Sequence, residues 1–292
     1  MRGLVRRAAT HQPAFVPLSP SETIALLREL GQNPRGSLGQ NFLVDPNIVA
    51  KSLAIAEVTV GDRVVEIGPG LGTLTKALLE AGVELHAVEL DKKLHAYLER
   101  TLVPQYPEKF HLMQGDAVDH PLADLPEGVP FKVVANLPYA ISSPWMEALF
   151  AHTPLPSRMV LMLQNEAAER YMALPGGKSF GAISVLVQAA FERRPGHKVA
   201  AGCFYPRPDV GSQLLHLKRR EDAKILSEES RARIRKIFQQ RRKQLGALCR
   251  GDAVLEAWLA LIAEKFGIDP RTRPEAVPVP AWMLLEECRV LP

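Results

Sequence analysis

Apolar residues recur along this chain with two periods, and the points where the period changes divide it. Short apolar runs at residues 63–67, 85–90, 110–114, 132–135 and 158–163 stand between longer segments whose apolar positions fall at helical spacing. That alternation predicts strands joined by helices, an α/β domain with a mostly parallel central sheet. Two later segments, 184–190 and 213–217, read as strands able to pair antiparallel. Ahead of the alternation, Ser19-Pro20-Ser21-Glu22 has the form of a capping box and predicts a short helix through Leu30, stopped by Gly31. Residues 33–43 are polar and glycine-rich, so a loop is expected, and Asp45-Pro46 opens another helix reaching about Ala56. Beyond residue 221 all apolar spacing is helical. The expected division is a tail and short helix over 1–30, an α/β domain over 31–220, and a small all-helical domain over 221–292.

Composition narrows the class. The chain has 292 residues, 47% hydrophobic and 23% charged, which excludes general disorder. No run approaches the roughly 18 apolar residues of a spanning helix. Cys203, Cys249 and Cys288 are odd in number and scattered, as expected of reduced thiols in a cytoplasmic protein. The eight histidines lack ligand spacing along the chain, so no metal site is predicted. Residues 1–18 carry Arg2, Arg6 and Arg7 with no acid and no apolar signal core, and read as a frayed tail rather than a transit peptide.

The candidate chemistry begins where the first strand runs into Gly68-Pro69-Gly70-Leu71-Gly72. Glycines at a strand-to-helix turn let a ligand approach the backbone. A dinucleotide fits poorly, because its fingerprint needs glycine where Thr73 stands, and Glu66 would set a carboxylate near the pyrophosphate. S-adenosyl-L-methionine, a nucleoside without phosphates, carries no such penalty. Glu89 ends the second run, where an acid can accept from both ribose hydroxyls, and Asp116 follows the third, where one can accept from an adenine amine.

Asn136-Leu137-Pro138-Tyr139 follows the fourth run and points to the reaction. An exocyclic adenine nitrogen is planar and weakly nucleophilic because its lone pair is delocalised into the ring. Two neutral acceptors holding its N–H bonds help it to pyramidalise toward a methyl donor, and no strong base is required. The Asn136 side-chain oxygen and the Leu137 carbonyl can supply them, with Pro138 fixing the turn. Tyr139 can stack on an extruded base, and Phe204 is the candidate for the opposite face. The sulfonium charge disappears on transfer, so carboxylates belong on ribose and adenine rather than at sulfur.

Together these segments resemble the KsgA-like family of rRNA adenine N6,N6-dimethyltransferases, over about residues 22–250. The resemblance runs in order through Gly39-Gln40-Asn41-Phe42-Leu43 with Asp45, the glycine turn, the Asn136 loop with Ile141-Ser142, Pro175-Gly176-Gly177-Lys178-Ser179-Phe180-Gly181, Phe204-Tyr205-Pro206-Arg207-Pro208 and Arg241-Arg242-Lys243-Gln244-Leu245. It implies a Rossmann-like class I methyltransferase domain with donor contacts at Asn41, Leu43, Gly68, Gly70, Glu89, Asp116 and Asn136. It also implies dimethylation of two adjacent adenosines in a hairpin loop near the 3′ end of small-subunit rRNA, on an assembling subunit, by a monomer. Two departures stand out: Arg35-Gly36 replaces a more basic pair, and Asp209 stands where the family has lysine. The alternatives are a resistance-type enzyme acting on large-subunit rRNA and a non-catalytic assembly or transcription factor on the same fold.

The net charge of +4 fits an anionic partner. Residues 231–250 carry eight Arg or Lys and no acid, whereas a solvated helix face usually mixes signs. Phosphate contacts are therefore expected from Arg235, Arg241, Arg242 and Lys243. Trp258 and Trp282 read as packing residues of the terminal helices.

Overall fold

A computed structural model of the chain describes residues 18–32 and 40–288. The expected tail and most of the expected 33–43 loop lie outside the described residues. The first helix, α1 (Pro20–Glu29), opens on the predicted capping box. The Ser19 backbone N–H donates to Glu22 Oε2 at 2.8 Å, and the Glu22 N–H donates to Ser19 Oγ at 3.3 Å. Helix α2 (Pro46–Ile55) is capped by Asp45, which accepts from the Asn47 N–H at 2.8 Å. Between them Phe42–Leu43 forms a short strand, β1, in place of the expected loop. It pairs antiparallel with β8 (Phe204–Tyr205), Leu43 opposite Phe204.

The five expected strands form as β2 (Arg63–Ile67), β3 (Glu84–Glu89), β4 (Phe110–Gln114), β5 (Lys132–Asn136) and β6 (Arg158–Gln164). Joining them are α3 (Thr73–Glu80), α4 (Lys92–Thr101) and α5 (Ser142–Leu149). These strands run parallel; β9 (Ser212–Arg219) lies antiparallel beside β6 and β7 (Phe191–Val199) antiparallel beside β9, giving the order β4-β3-β2-β5-β6-β9-β7. The chain builds outward from β2 in one direction and returns to lay β5 on its other side. At such a reversal the connections leave in opposite directions and open a crevice at the strands' carboxyl ends.

One predicted element is corrected. Residues 184–190 lie not in a strand but in α7 (Ala182–Ala190), which follows α6 (Asn165–Tyr171). The partner of β9 is β7 instead. Helix α7 is buried on nearly every side, so it has no polar face and its apolar run carries no helical period. Edge strand β7 is exposed from Arg193 to Lys198 and holds Pro195 and Gly196 at an irregularity, so it has neither the alternation nor the residue types that mark a strand.

The rest of the chain is helical: α8 (Glu228–Gln239), α9 (Leu245–Cys249), α10 (Ala253–Phe266), α11 (Val279–Met283) and α12 (Leu285–Cys288). Its apolar side chains join one continuous core with the sheet through α7, which touches both α8 and α11. Trp258 and Trp282 are fully buried and stacked at 4.7 Å, and Trp258 Nε1 donates to the Ala281 carbonyl at 2.8 Å. All three cysteines are free and buried. Among the described residues no helix is long and apolar enough to cross a membrane. Trp258→Ala removes one of the two stacked tryptophans from this terminal core and leaves a cavity. It is expected to destabilise the protein by about 3–5 kcal/mol, read as a lower urea midpoint with an unchanged m-value.

Candidate active site

The crevice between β2 and β5 is a cleft with about 1050 Å³ of atom-free space, counting its open mouth. Every donor-binding residue expected from the sequence lines it: Asn41, Leu43, Gly68, Gly70, Glu89, Asp116 and Asn136. Leu137, Pro138 and Tyr139 complete the wall. The turn after β2 requires glycine twice over. Gly68 has φ +66°, and a Cβ there would lie 3.1 Å from the Pro138 ring. Gly70 has φ +61°, and its Cβ would lie 3.2 Å from the Phe42 ring. Both angles are left-handed, so any side chain would strain the backbone and push apart the segments that enclose the cleft.

Glu89 fastens this turn from inside. Its Oε2 accepts from the Gly70 N–H at 2.9 Å and its Oε1 from the Asp91 N–H at 2.9 Å. Each oxygen keeps a further lone pair for a ligand hydroxyl. Burial pushes the Glu89 carboxyl up, against the two amide hydrogen bonds that favour its charged form. The Gly70 amide, which a phosphate-binding turn would offer to its ligand, is already committed to a carboxylate. Asp116 is half-buried and closes its own turn by accepting from the Val118 N–H at 2.8 Å.

Glu66 is more consequential than its sequence position suggests. It is 2% exposed, its Oε2 has no hydrogen-bond partner among the described residues, and it lines the cleft. Burial, with the neighbouring Glu89 charge adding to it and the Thr75 hydroxyl opposing, raises its pKa to about 8. At neutral pH it is largely protonated. The repulsion it was expected to exert on a pyrophosphate is therefore mostly absent, and the occupied Gly70 amide is the stronger obstacle to a dinucleotide.

At the end of β5, Asn136 Nδ2 donates to the Asn41 backbone carbonyl at 2.8 Å. A carbonyl only accepts, so the atom facing it must be the amide nitrogen, and the Asn136 Oδ1 is left as the acceptor. Pro138 leads into the short turn Tyr139–Ile141. The Tyr139 hydroxyl lies 2.8 Å from Ser212 Oγ at the start of β9, and burial pushes its pKa up, which keeps it a neutral phenol. No side chain from 136 to 141 is ionised at neutral pH. Two partners here had no signal in the sequence, the Asn41 carbonyl, 95 positions from Asn136, and Ser212, 73 positions from Tyr139.

Phe204 is the one expected catalytic residue that the structure does not bring to the cleft wall. Antiparallel pairing with β1 sets it opposite Leu43, and its ring is 2% exposed in the core packed against β2, β3 and α3. The basic segment also differs from its reading. Acids outside the 231–250 window neutralise several of its cations. Arg231 is buried, donating to Glu228 and to the Phe150 carbonyl. Arg233 pairs with Asp252 at 3.2 Å, and Arg235 with Glu228 at 2.5 Å and Glu147 at 3.8 Å. Arg241 donates to the Lys178 carbonyl at 2.9 Å and lies 3.9 Å from Glu275. Arg242 and Lys243 stay exposed with no acid beside them among the described residues, Lys243 donating to Gln240 at 2.7 Å.

Known proteins resemble this chain over most of its length. The chain is 58% identical over 276 residues to the ribosomal RNA small subunit methyltransferase A of Opitutus terrae, covering 93% of this chain and 99% of that one. The Moorella thermoacetica protein of the same name is 41% identical, covering 89% and 93% respectively. A crystal structure of a dimethyladenosine transferase from Plasmodium falciparum superposes with a TM-score of 0.67 at 25% identity, over 84% of this chain and 96% of that one. The class I methyltransferase fold and an S-adenosylmethionine-dependent activity follow. The family model for ribosomal RNA adenine dimethylases matches residues 31–285, farther into the terminal helices than the motifs alone reach, and the chain belongs to that family.

Proposed function

We propose that this chain, as a cytoplasmic monomer, dimethylates the N6 amines of two adjacent adenosines in a hairpin loop near the 3′ end of small-subunit rRNA, on the assembling subunit. The observation that carries the reading is the Asn136–Asn41 hydrogen bond, which leaves a neutral amide oxygen as acceptor in the wall of the cleft. The names of the curated relatives support the small subunit over the large one.

S-adenosylmethionine, when bound, supplies an electrophilic methyl on a sulfonium. Glu89 and Asp116 are suited to its ribose and adenine, and Asn41, Leu43, Gly68 and Gly70 to enclosing it. The unpartnered, buried Glu66 carboxyl fits a polar ligand in the same wall. Asn136 Oδ1 and the Leu137 carbonyl hold the two N–H bonds of the target amine, drawing the nitrogen out of the ring plane. Because both acceptors are neutral, they stabilise the positive charge that the nitrogen gains without trapping its proton. Tyr139 offers one ring face to the extruded adenine. Phe204, closed into the core, supplies no second face in this arrangement.

Residues 221–292 act in this reading as the RNA-contacting part. Arg242 and Lys243 meet phosphate, while Arg235 and Arg241 serve chiefly the internal ion pairs described above. Specificity then comes from RNA shape and from the extruded base.

Undermethylated small subunits incubated with tritiated methyl donor are expected to acquire label in adenine, and large subunits are not; absence of label in the small subunit overturns the reading. In the same assay Asn136→Ala is expected to lower the methylation rate by about 100-fold or more, the size of a lost transition-state contact, with little change in donor affinity by calorimetry. Equal losses in rate and affinity would make Asn136 chiefly a donor-binding residue. Replacing Arg242 and Lys243 together by Ala should weaken small-subunit binding and reduce the slope of log K against log salt by about 1–2.

Glu66 generates a pH prediction. Its carboxyl ionises near its ordinary value of 4.5 when unfolded and near about 8 when folded, so between those limits the folded state holds the extra proton. Stability from this group therefore falls as pH rises through the window, by at most about 1.4 kcal/mol per pH unit. Glu66→Gln should flatten the decline in melting temperature between pH 5 and 8, and a variant with the wild-type slope would contradict the assignment.

A further inference from the structure

We propose that Glu84, His86 and His111 form a binding site for a divalent transition-metal ion of the zinc class, at the end of the sheet opposite the methyl-transfer cleft. The sequence gives no hint of it: the histidines lack ligand spacing along the chain, and this cluster is built across two strands.

Parallel pairing of β3 with β4 sets His86 directly beside His111, and the two imidazoles stack at 4.4 Å with 24° between their planes. Glu84 stands two residues before His86 and so shares its face of the sheet. Its Oε1 lies 3.4 Å from His86 Nε2 and 3.8 Å from His111 Nε2, and one ligand atom from each of the three residues lies within 4.8 Å of the others. Bonds of about 2.0–2.2 Å to a tetrahedral ion require donor atoms about 3.4 Å apart. Closure therefore needs a shift of about 1 Å, which the half-exposed His111 side chain can supply.

Two further features suit a metal site. His86 is 4% exposed, so the surrounding core holds its imidazole in place. Finally, Arg63 donates to Glu84 Oε2 at 3.1 Å, orienting the carboxylate and leaving Oε1 as a single ligand atom.

The donor set decides the metal. Two imidazoles and one oxygen suit zinc, cobalt or nickel, whereas calcium and magnesium require more oxygen ligands than the cluster has. Water completes the coordination. The ion would pin β3 to β4 at their amino ends, while the carboxyl ends of the same strands lead to Glu89 and Asp116.

Cobalt(II) serves as the probe, added to the full chain after chelator treatment. One equivalent is expected to give the intense visible absorption of a tetrahedral ion, and zinc at a hundredfold excess over its Kd to raise the melting temperature by about 5 °C. His111→Ala, at a half-exposed position that folding tolerates, should abolish both while leaving methyl-donor affinity unchanged. Glu84→Gln should weaken zinc binding at least tenfold. No absorption and no thermal shift with wild-type protein would overturn the proposal. A spectrum or shift that survives in His111→Ala would overturn it too, since the ion would then sit elsewhere, for example on the buried thiols.

Discussion

An asparagine amide has nearly the same shape either way round, and in this cleft one hydrogen bond removes the ambiguity. Asn136 gives its Nδ2 to the Asn41 carbonyl, so Oδ1 must be the free end. The bond joins the end of β5 to the segment just ahead of β1, and that segment is held in turn by pairing with β8. A second contact works in concert with it. Gly68 has no side chain where the Pro138 ring packs, so the turn after β2 and the loop after β5 can close to within van der Waals distance. The cleft depends on these two short contacts between segments far apart in the chain.

Charge is distributed in the cleft according to what each part must do. Carboxyls gather on the strands whose ends suit a nucleoside, with Glu89 spending one lone pair of each oxygen on the fold and keeping the others. Glu66, beside it and more deeply buried, avoids a second negative charge by holding its proton. From Asn136 to Ile141 there is no ionised side chain at neutral pH, so this part of the wall presents dipoles rather than a counter-ion. Dipoles hold a cation less firmly than a carboxylate would, which suits a reaction in which a positive charge is lost.

The terminal helices illustrate how a linear window misleads. Arg233 and Arg235 sit in a stretch without acids, yet Asp252 lies beside the first, and Glu228 and Glu147 beside the second. Ion pairs form across helices and between the helices and the sheet domain, so a count of charges along a segment overstates what remains for an anionic partner. Arg242 and Lys243, beyond the end of α8, escape this internal pairing.

Local chemistry was legible wherever it acts over a few residues. The Ser19 and Asp45 caps, the glycine turn after Ile67, and the acids at the ends of β3 and β4 all express rules of spacing and backbone conformation that the chain carries in itself. The order of the motifs was sufficient to indicate the family and the donor. Elements whose surroundings erase their period were not legible: α7 is apolar on almost every face, and β7 lies at an exposed edge with proline and glycine within it. Nor could the sequence determine which way the Asn136 amide turns, that Phe204 closes into the core while Tyr139 meets Ser212, or that Glu84, His86 and His111 converge. Those facts depend on strand register and on side chains brought together from distant positions. Hydrophobic burial drives such packing without regard to separation along the chain, and only the folded sheet fixes the outcome.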